Sequence, residues 1–240
     1  MTNHATTLRA RRPIAHGTAA FHFDKPAGFV FEPGQAVDVV LPDPPDGDVQ
    51  SARHTFSIVS APFESNLVIA TRMRDSAFKR TLGALPEGAG LTIEGPFGSL
   101  MQRADHLRPA VFIAGGIGIT PFMSLLRQAA HDRLTLGRVL LYSNRRPEDA
   151  AFLAELTALE QQYKSFRLLA TMTAMSRSSE TWLGTTGPID AALLARASEG
   201  LVQPVYAIAG PPAMAEALRL VLNEAGVNDQ DIRSEEFYGY

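Results

Sequence analysis

The segment 111–121, VFIAGGIGITP, combines residue types and spacings that suit phosphate binding. Its first four residues predict a buried strand, and the glycines predict a tight turn. Thr120 and Pro121 then predict the N-cap and first position of a helix. The backbone N–H groups of such a helix N-terminus attract the pyrophosphate of a nucleotide. The preceding strand and the following helix favour a nucleotide site over an ordinary glycine turn.

The elements around this segment predict a doubly wound parallel sheet with helices on both faces. Strand patterns occur at 110–114, 139–142, 166–172 and 205–209, and helix patterns begin near 121, 148, 191 and 211. The helix from 148 is expected to run to 163. Ligands of such sheets bind beyond the carboxyl ends of the strands. The glycine turn and the segment Gly210-Pro211-Pro212 both fall at such ends, so they are predicted to converge on one edge.

The first hundred residues predict a small antiparallel β-barrel. Short strand patterns at 8–15, 19–23, 36–41, 55–60, 67–73 and 91–94 are separated by Pro, Gly and Asp. One helix interrupts them, with Ser76 as its cap and an apolar face formed by Phe78, Leu82 and Leu85.

Composition excludes several classes of function. The chain has 240 residues, a net charge of −3 and no cysteine, so it holds no disulfide and no Cys-ligated iron–sulfur cluster. The six histidines are scattered, and no metal site is expected. The charge balance gives no basic footprint for nucleic acid. The uncharged stretch 109–126 is interrupted by glycines and a proline, so no membrane span is expected. Without a signal-peptide pattern, a cytoplasmic protein is expected.

Five motifs, in order, resemble those of the ferredoxin–NADP reductase superfamily. They are Arg53-His54-Thr55-Phe56-Ser57, Ser76-Ala77-Phe78-Lys79, Gly95-Pro96-Phe97-Gly98, Gly115-Gly116-Ile117-Gly118-Ile119-Thr120-Pro121 and Gly210-Pro211-Pro212-Ala213-Met214. The resemblance implies an FAD-binding β-barrel over residues 1–105 and an NAD(P)-binding α/β domain over residues 106–240.

The first motif departs from the family pattern. The family commonly has Arg-x-Tyr-Ser, in which the Arg meets a flavin phosphate, the aromatic lies against the isoalloxazine and the Ser reaches flavin N5. Phe56 and Ser57 match the last two positions, whereas His54 occupies the Arg position and Arg53 comes one residue earlier. This His-x-Phe-Ser form is similar to the ferric-reductase and NADPH-oxidase branch. Arg53 shares a strand face with Thr55 and Ser57, and His54 with Phe56.

The resemblance implies two further sets of binding residues. The flavin pyrophosphate is expected at the helix that begins near Ser76, with the neighbouring residues Arg72, Met73, Ala77, Phe78 and Lys79. The nicotinamide coenzyme is expected at the two glycine segments and at the end of the second parallel strand, which gives Gly115, Gly116, Gly118, Thr120, Pro121, Asn144, Arg145, Arg146, Gly210, Pro211, Pro212 and Met214.

The ending EEFYGY carries two acids among three aromatics. By resemblance, Tyr240 covers the flavin face and Glu236 serves as a nearby acid; alternatively, Phe237 and Tyr238 only close the last strand. Arg145 or Arg146, or the segment Ser176-Arg177-Ser178, favours NADPH slightly by offering partners for a 2′-phosphate. Ala209 replaces the cysteine that the family often has there.

The function implied by the resemblance is hydride transfer from nicotinamide C4 to flavin N5. Electrons then pass to a separate acceptor, such as ferredoxin or another iron–sulfur or haem protein. One alternative is a reductase of free flavin, a ferric chelate or another small acceptor. A second alternative is a dinucleotide-binding module without turnover.

Overall fold

A computed structural model of the protein describes residues 2–43 and 49–237. Their first half forms an antiparallel barrel of six strands in the order β4-β3-β6-β1-β2-β5. The edge strands meet through a bridge between Ile58 and Ile69. The strands are β1 (Thr2–Ala15), β2 (Thr18–Asp24), β3 (Ala36–Val40), β4 (Arg53–Ser57), β5 (Asn66–Arg72) and β6 (Gly90–Phe97). The predicted barrel is confirmed.

The barrel interior follows from side-chain alternation. Phe21 and Phe23 of β2 are fully buried, together with Ile93 of β6. The predicted helix forms as α1 (Ala77–Ala84), and the Ser76 hydroxyl accepts the Lys79 N–H as its cap. Phe78 and Leu82 of α1 pack into the same apolar cluster, so α1 is held against one side of the barrel.

The second half is a parallel sheet of six strands in the order β10-β9-β8-β7-β11-β12. Helices α2 and α3 pack on one face, and α4 and α5 on the other. The strand order reverses between β7 and β11, which creates a crevice at their carboxyl ends. The elements are β7 (Ala110–Gly115), α2 (Thr120–His131), β8 (Arg138–Asn144), α3 (Leu153–Gln162), β9 (Phe166–Met172), β10 (Thr185–Thr186), α4 (Ala191–Ser198), β11 (Val205–Gly210), α5 (Pro212–Glu224) and β12 (Ile232–Glu236).

Two local predictions in this half are wrong. The helix expected over 148–163 is a short 3-10 turn, Pro147–Asp149, followed by α3 from Leu153, because Phe152 takes a left-handed backbone (φ 61°) that interrupts it. Thr120 is not an N-cap. A 3-10 turn, Gly116–Ile119, already precedes it, and its hydroxyl donates to the Ile117 carbonyl at 3.0 Å.

The barrel and the parallel sheet share one apolar core. Val68 and Ala70 of β5 belong to the same buried cluster as Phe122 and Leu126 of α2. Beside this core the Ser124 hydroxyl of α2 donates to the Ser60 carbonyl of the barrel at 2.8 Å. Helix α2 therefore fixes the position of the glycine turn relative to the barrel.

Arg127 of α2 connects three segments, and we expect its replacement by methionine to lower the free energy of unfolding by about 2 kcal/mol. It donates to both carboxylate oxygens of Glu155 (2.7 and 2.9 Å) and to the Val59 carbonyl (3.3 Å). Its side chain is 17% exposed and that of Glu155 is 42% exposed, so the replacement removes a bidentate ion pair that is buried on the arginine side. Urea titration measures the effect.

The matched control is Arg9→Met, which removes a pair with Asp24 that is exposed on both sides. Exposed pairs contribute about 0.2–1 kcal/mol. Equal losses in the two variants would contradict the role given to Arg127.

Candidate functional site

A cleft opens where β4 and β5 of the barrel face the start of α2. Its volume, including the part that is open to solvent, is ≈ 460 Å³. The barrel strands, helices α1 and α2 and the C-terminal segment all contribute lining residues to it. Its lining residues are His54, Thr55, Phe56, Ser57, Ala70, Thr71, Arg72, Lys79, Ile117, Thr120 and Phe237. The cleft therefore brings together most of the predicted flavin motif with the turn that follows β7.

Ser57 ends β4 at this cleft. It is 4% exposed, and its Oγ has no hydrogen-bond partner in the part of the chain that the structure describes. Buried hydroxyls are nearly always hydrogen-bonded, because an unpaired one loses its water without compensation. The unpaired Oγ therefore marks a place where a ligand can supply the missing partner.

An aromatic cluster forms the wall beside Ser57. The ring centroids of His54 and Phe56 lie 4.9 Å apart, and those of His54 and Phe78 lie 5.4 Å apart. Burial, with a smaller contribution from the Lys79 charge, lowers the pKa of His54. The ring is therefore neutral near pH 7, and it offers a hydrogen bond rather than a fixed positive charge.

Arg53 begins β4 and, by strand alternation, shares a face with Thr55 and Ser57. Its Nη1 pairs with Asp38 at 3.1 Å and with Glu94 at 2.6 Å. It does not line the cleft. The structure thus uses Arg53 to balance two carboxylates, and the predicted contact of this residue with a cofactor is not supported by its position.

The cationic groups at the cleft come from the end of β5 and from α1. Arg72 and Lys79 line it. Burial, and then the Arg74 charge, lowers the pKa of Lys79. Met73 is positioned by its N–H, which donates to the Gly17 carbonyl at 2.7 Å. Arg72 and Lys79 thus mark one end of the cleft, whereas Met73, Ser76 and Ala77 lie near them in the chain but do not line it.

Close packing explains why glycine is required at the positions predicted to contact the coenzyme, and the sequence alone did not reveal this. A Cβ on Gly118 would lie 2.1 Å from the Ala209 carbonyl oxygen, and one on Gly210 would lie 2.5 Å from Met214 Cε. A Cβ on Gly115 would lie 2.6 Å from Met214 Sδ. Only glycine lets the turn after β7 and the turn after β11 approach this closely. The convergence of these two motifs is therefore observed, and it places Gly116, Pro121, Pro211 and Pro212 at the same edge.

A second unpaired group lies at that edge. Asn144 ends β8, is 4% exposed, and has both side-chain amide atoms buried without a partner among the described residues. It is one of the residues predicted to contact the coenzyme. The Ser57 hydroxyl and the Asn144 amide thus fall at the positions where a flavin and a nicotinamide dinucleotide are expected, and the donor set fits both groups.

A second cleft, of ≈ 890 Å³, adjoins the first through Arg72 and lies between the barrel and the ends of β8 and β9. We call it the arginine cleft. Arg146 is held within it by Asp149, through two bonds of 2.7 and 2.8 Å, and by Glu148 at 3.4 Å. Arg145 and Arg177 are exposed. The arginines that line this cleft are Arg72, Arg74, Arg145, Arg146 and Arg177.

The C-terminal segment reaches the first cleft, which we call the flavin cleft after the predicted flavin motif that lines it, through Phe237. Its N–H donates to the Gly210 carbonyl at 3.0 Å, and the residue lines the cleft. Glu236 is exposed, whereas Glu235 is more enclosed and burial raises its pKa. Tyr240, the predicted cover, lies outside the described residues.

Several lining residues were missed by the sequence interpretation: Ala70, Thr71, Ile117 and Phe237. Phe237 follows the last parallel strand directly, and the rule that ligands bind at carboxyl strand ends could have identified it. Ala70 and Thr71 carry no comparable signal, because they read as ordinary residues of a buried strand.

The family model described as the oxidoreductase NAD-binding domain matches residues 112–219. Ferredoxin–NADP reductase B of Sorangium cellulosum is 32% identical, and the match covers 96% of each chain. The glycine betaine monooxygenase reductase subunit of Chromohalobacter salexigens is 27% identical over 92% of this chain. This chain spans 60% of the length of that protein.

Solved structures share the fold. A ferredoxin NADP⁺ reductase from Neisseria gonorrhoeae with bound FAD and NADP superposes with a TM-score of 0.80 at 19% identity, over 98% of this chain and 99% of that one. The Amycolatopsis cytochrome P450 reductase GcoB gives a TM-score of 0.81 at 20% identity, over 98% of this chain and 70% of that one. Among the described residues, no helix has the length and apolar character needed to cross a membrane.

Proposed function

Since the chain belongs to the ferredoxin–NADP reductase family, we propose that it is an FAD-dependent NAD(P)H reductase that passes electrons to a separate acceptor. The observation that carries this proposal is the cleft in which the unpaired Ser57 hydroxyl faces the start of α2 and Phe237. When bound, FAD supplies a ring that takes a hydride from nicotinamide C4 at its N5 and can release electrons one at a time. The boundary near residues 105 and 106 is part of this proposal.

The chain's own residues bind and orient the two ring systems. Ser57 donates a hydrogen bond to the flavin, and Phe56 with His54 forms the apolar wall behind it. Arg72 and Lys79 neutralise phosphate charge at the far end of the cleft. Phe237 shields the site from water, and the close contact between the turns at Gly118 and Gly210 fixes where the nicotinamide enters. Such positioning would hold the two ring systems in the close contact that hydride transfer requires.

The acceptor is a separate protein or a small molecule. The 240-residue sequence contains no cysteine, so it cannot itself ligate a Cys-held iron–sulfur cluster. Relatives include reductase components of oxygenases, named for glycine betaine monooxygenase and for propane 2-monooxygenase. We propose an iron–sulfur or haem protein as the acceptor. The cytoplasmic location expected from the sequence stays a prediction.

Anaerobic addition of NADPH or NADH to the flavin-loaded protein tests the activity. We expect prompt bleaching of the oxidised flavin band, followed by reoxidation when a one-electron protein acceptor such as a ferredoxin is added. A protein that binds FAD and coenzyme but leaves the band unchanged is a binding module instead. Reoxidation by free flavin or a ferric chelate alone, with no transfer to protein acceptors, favours the small-acceptor alternative.

The arginine cleft favours NADPH, and the structure divides its arginines into two kinds. Arg146 is committed to Asp149 and Glu148, whereas Arg145 and Arg177 are exposed at the cleft. We expect Arg145→Ala with Arg177→Ala to raise the KM for NADPH by about tenfold or more and to leave the KM for NADH nearly unchanged, because an arginine–phosphate bond contributes about 1.5–3 kcal/mol. Steady-state kinetics with both coenzymes measure the ratio.

Arg196→Ala is the matched control, since it removes one exposed positive charge on α4 outside the cleft. It should change neither KM. If the KM for NADPH and the KM for NADH rose together in the double variant, the two arginines would contact a part of the coenzyme that NADH also has.

A further inference from the structure

Besides the flavin cleft and the arginine cleft, a further cavity lies at the opposite edge of the parallel sheet, beneath the C-terminal half of α2. Its volume, including the part that is open to solvent, is ≈ 910 Å³, and it lies between the barrel loop at Pro33 and the α/β half. Thr120 lines the flavin cleft at the start of α2, whereas Asp132 lines this cavity just beyond its end. Because α2 has 12 residues, roughly 18 Å separate the two places. The walls are mostly apolar, with Met101, Phe112, Leu125, Ala129 and Leu134.

Arg138 is the cationic group of this cavity. It is the first residue of β8 and is 4% exposed. Its Nη1 donates to the carbonyl oxygens of Arg108 at 2.7 Å and Gly137 at 3.2 Å, and its Nη2 donates to that of His106 at 3.3 Å. Within residues 2–43 and 49–237, no carboxylate pairs with Arg138, and its hydrogen bonds run from Nη1 and Nη2 to these backbone carbonyls. Burial lowers its pKa.

Two other enclosed arginines, Arg127 and Arg233, differ in this respect, whereas the partly buried Arg167 likewise donates only to backbone carbonyls. Arg127 has a bidentate carboxylate partner in Glu155, and Arg233 has one in Asp105. Their side chains are 17% and 18% exposed. A buried cation is costly unless an anion compensates it, and Arg138 is more buried than either and has only carbonyl partners. Its Nε–H and second Nη2 N–H form the fork that suits a carboxylate.

The remaining polar groups limit the ligand. Asp132 accepts two bonds from Gln128 Nε2 (2.9 and 3.0 Å) and lies 3.0 Å from His131 Nδ1, and Glu32 lies on the barrel side. Two carboxylates at the rim disfavour a phosphate or a dicarboxylate. The His106 ring is neutral near pH 7, because burial and the Arg138 charge lower its pKa. Gln128 Oε1 is buried without a partner among the described residues and can accept one hydrogen bond.

We propose that this cavity binds a small monocarboxylate with an aromatic or aliphatic body. The carboxylate pairs with the Nε–Nη2 edge of the Arg138 guanidinium and supplies its missing counter-charge. The apolar body packs against Met101, Leu125 and Ala129. Gln128 Oε1 accepts a hydroxyl or amide N–H where the ligand carries one. No group proposed for the flavin or the coenzyme takes part.

Isothermal titration and ligand-observed NMR on the full chain test this site, with benzoate and phenylacetate as probes and benzamide and phenylacetamide as neutral counterparts. We expect both acids to bind saturably with a Kd below about 1 mM, and both amides to bind at least tenfold more weakly. Arg138→Gln removes the cation. Ala129→Leu reduces the space in the cavity and keeps the arginine, so it tests the site even if Arg138→Gln does not fold.

Both variants should weaken acid binding at least tenfold, whereas Arg196→Ala should not. Ala129→Leu should leave flavin reduction by NADPH unchanged, which separates this site from the reductase activity. Absence of saturable binding by either acid, or equal binding of acid and amide, overturns the proposal. Unchanged affinity in both variants also overturns it, because the acids would then occupy another place such as the arginine cleft.

Discussion

Gly118→Ala is expected to destabilise the protein by about 3 kcal/mol and to abolish nicotinamide-dependent flavin reduction. The new Cβ would lie 2.1 Å from the Ala209 carbonyl oxygen, 2.5 Å from the Ala209 carbonyl carbon and 2.9 Å from the Gly210 nitrogen. All three atoms are backbone, so no side-chain rotation relieves the clash. Either the turn after β7 or the end of β11 must move, and both carry the proposed coenzyme site. Urea titration and anaerobic stopped-flow reduction measure the two effects.

Two glycine variants serve as controls. A Cβ on Gly90 would meet nothing within 4 Å, so Gly90→Ala should leave both readouts nearly unchanged. The atoms nearest to a Cβ on Gly115 belong to side chains, Met214 Sδ at 2.6 Å and Pro211 Cδ at 2.9 Å, and of these the flexible methionine can shift. Gly115→Ala should therefore fall between the other two in stability. A Gly118→Ala protein with normal stability and coenzyme kinetics would refute the close approach of the two turns.

Ser57→Ala is expected to slow flavin reduction by about 100-fold, the size of effect found when one positioned hydrogen-bond donor is removed from a reacting centre. FAD should remain bound, because the aromatic wall and the phosphate contacts are untouched. In the flavin-free protein the same change removes a buried hydroxyl that has no partner in the described chain. Its free energy of unfolding should therefore stay the same or rise slightly. The combination of slower reduction and undiminished stability identifies a functional hydroxyl.

Ser60→Ala is the matched control. Ser60 is fully buried, and its Oγ accepts the Val68 N–H at 3.0 Å. Removal of that acceptor should lower stability by about 1–3 kcal/mol and leave flavin reduction unchanged. If Ser57→Ala were also destabilising and kinetically silent, Ser57 would be an ordinary structural residue like Ser60.

The fold could be predicted because its signals are local. Alternating apolar residues give the barrel strands, and strand–turn–helix repeats give the parallel sheet. Errors appeared where a single backbone conformation decides the outcome. Phe152 adopts a left-handed conformation that periodicity does not reveal, and the 3-10 turn before Thr120 replaces the expected cap with helical backbone.

The site was predictable only in part. Residue spacing shows which side chains share a face of a strand, but it does not show which residues from distant parts of the sequence contact them. Ser57, Phe56 and Lys79 reach the cleft as expected. Arg53 does not, since Asp38 comes from β3 and Glu94 from β6, distant in sequence but adjacent in the sheet. Arg146 is likewise held by Asp149 and Glu148. An arginine in a motif therefore does not by itself predict a phosphate contact, because carboxylates of the protein can already pair with it.

The apolar cluster common to β5 and α2 has a mechanical consequence. Val68 and Ala70 are buried against the same side chains as Phe122 and Leu126, without an intervening solvated layer. Halves joined in this way do not swing about a hinge, and they melt in one transition rather than two. Coenzyme entry must then rely on small displacements at the rim of the cleft. A barrel expressed alone would expose the apolar surface that α2 covers, and it would aggregate.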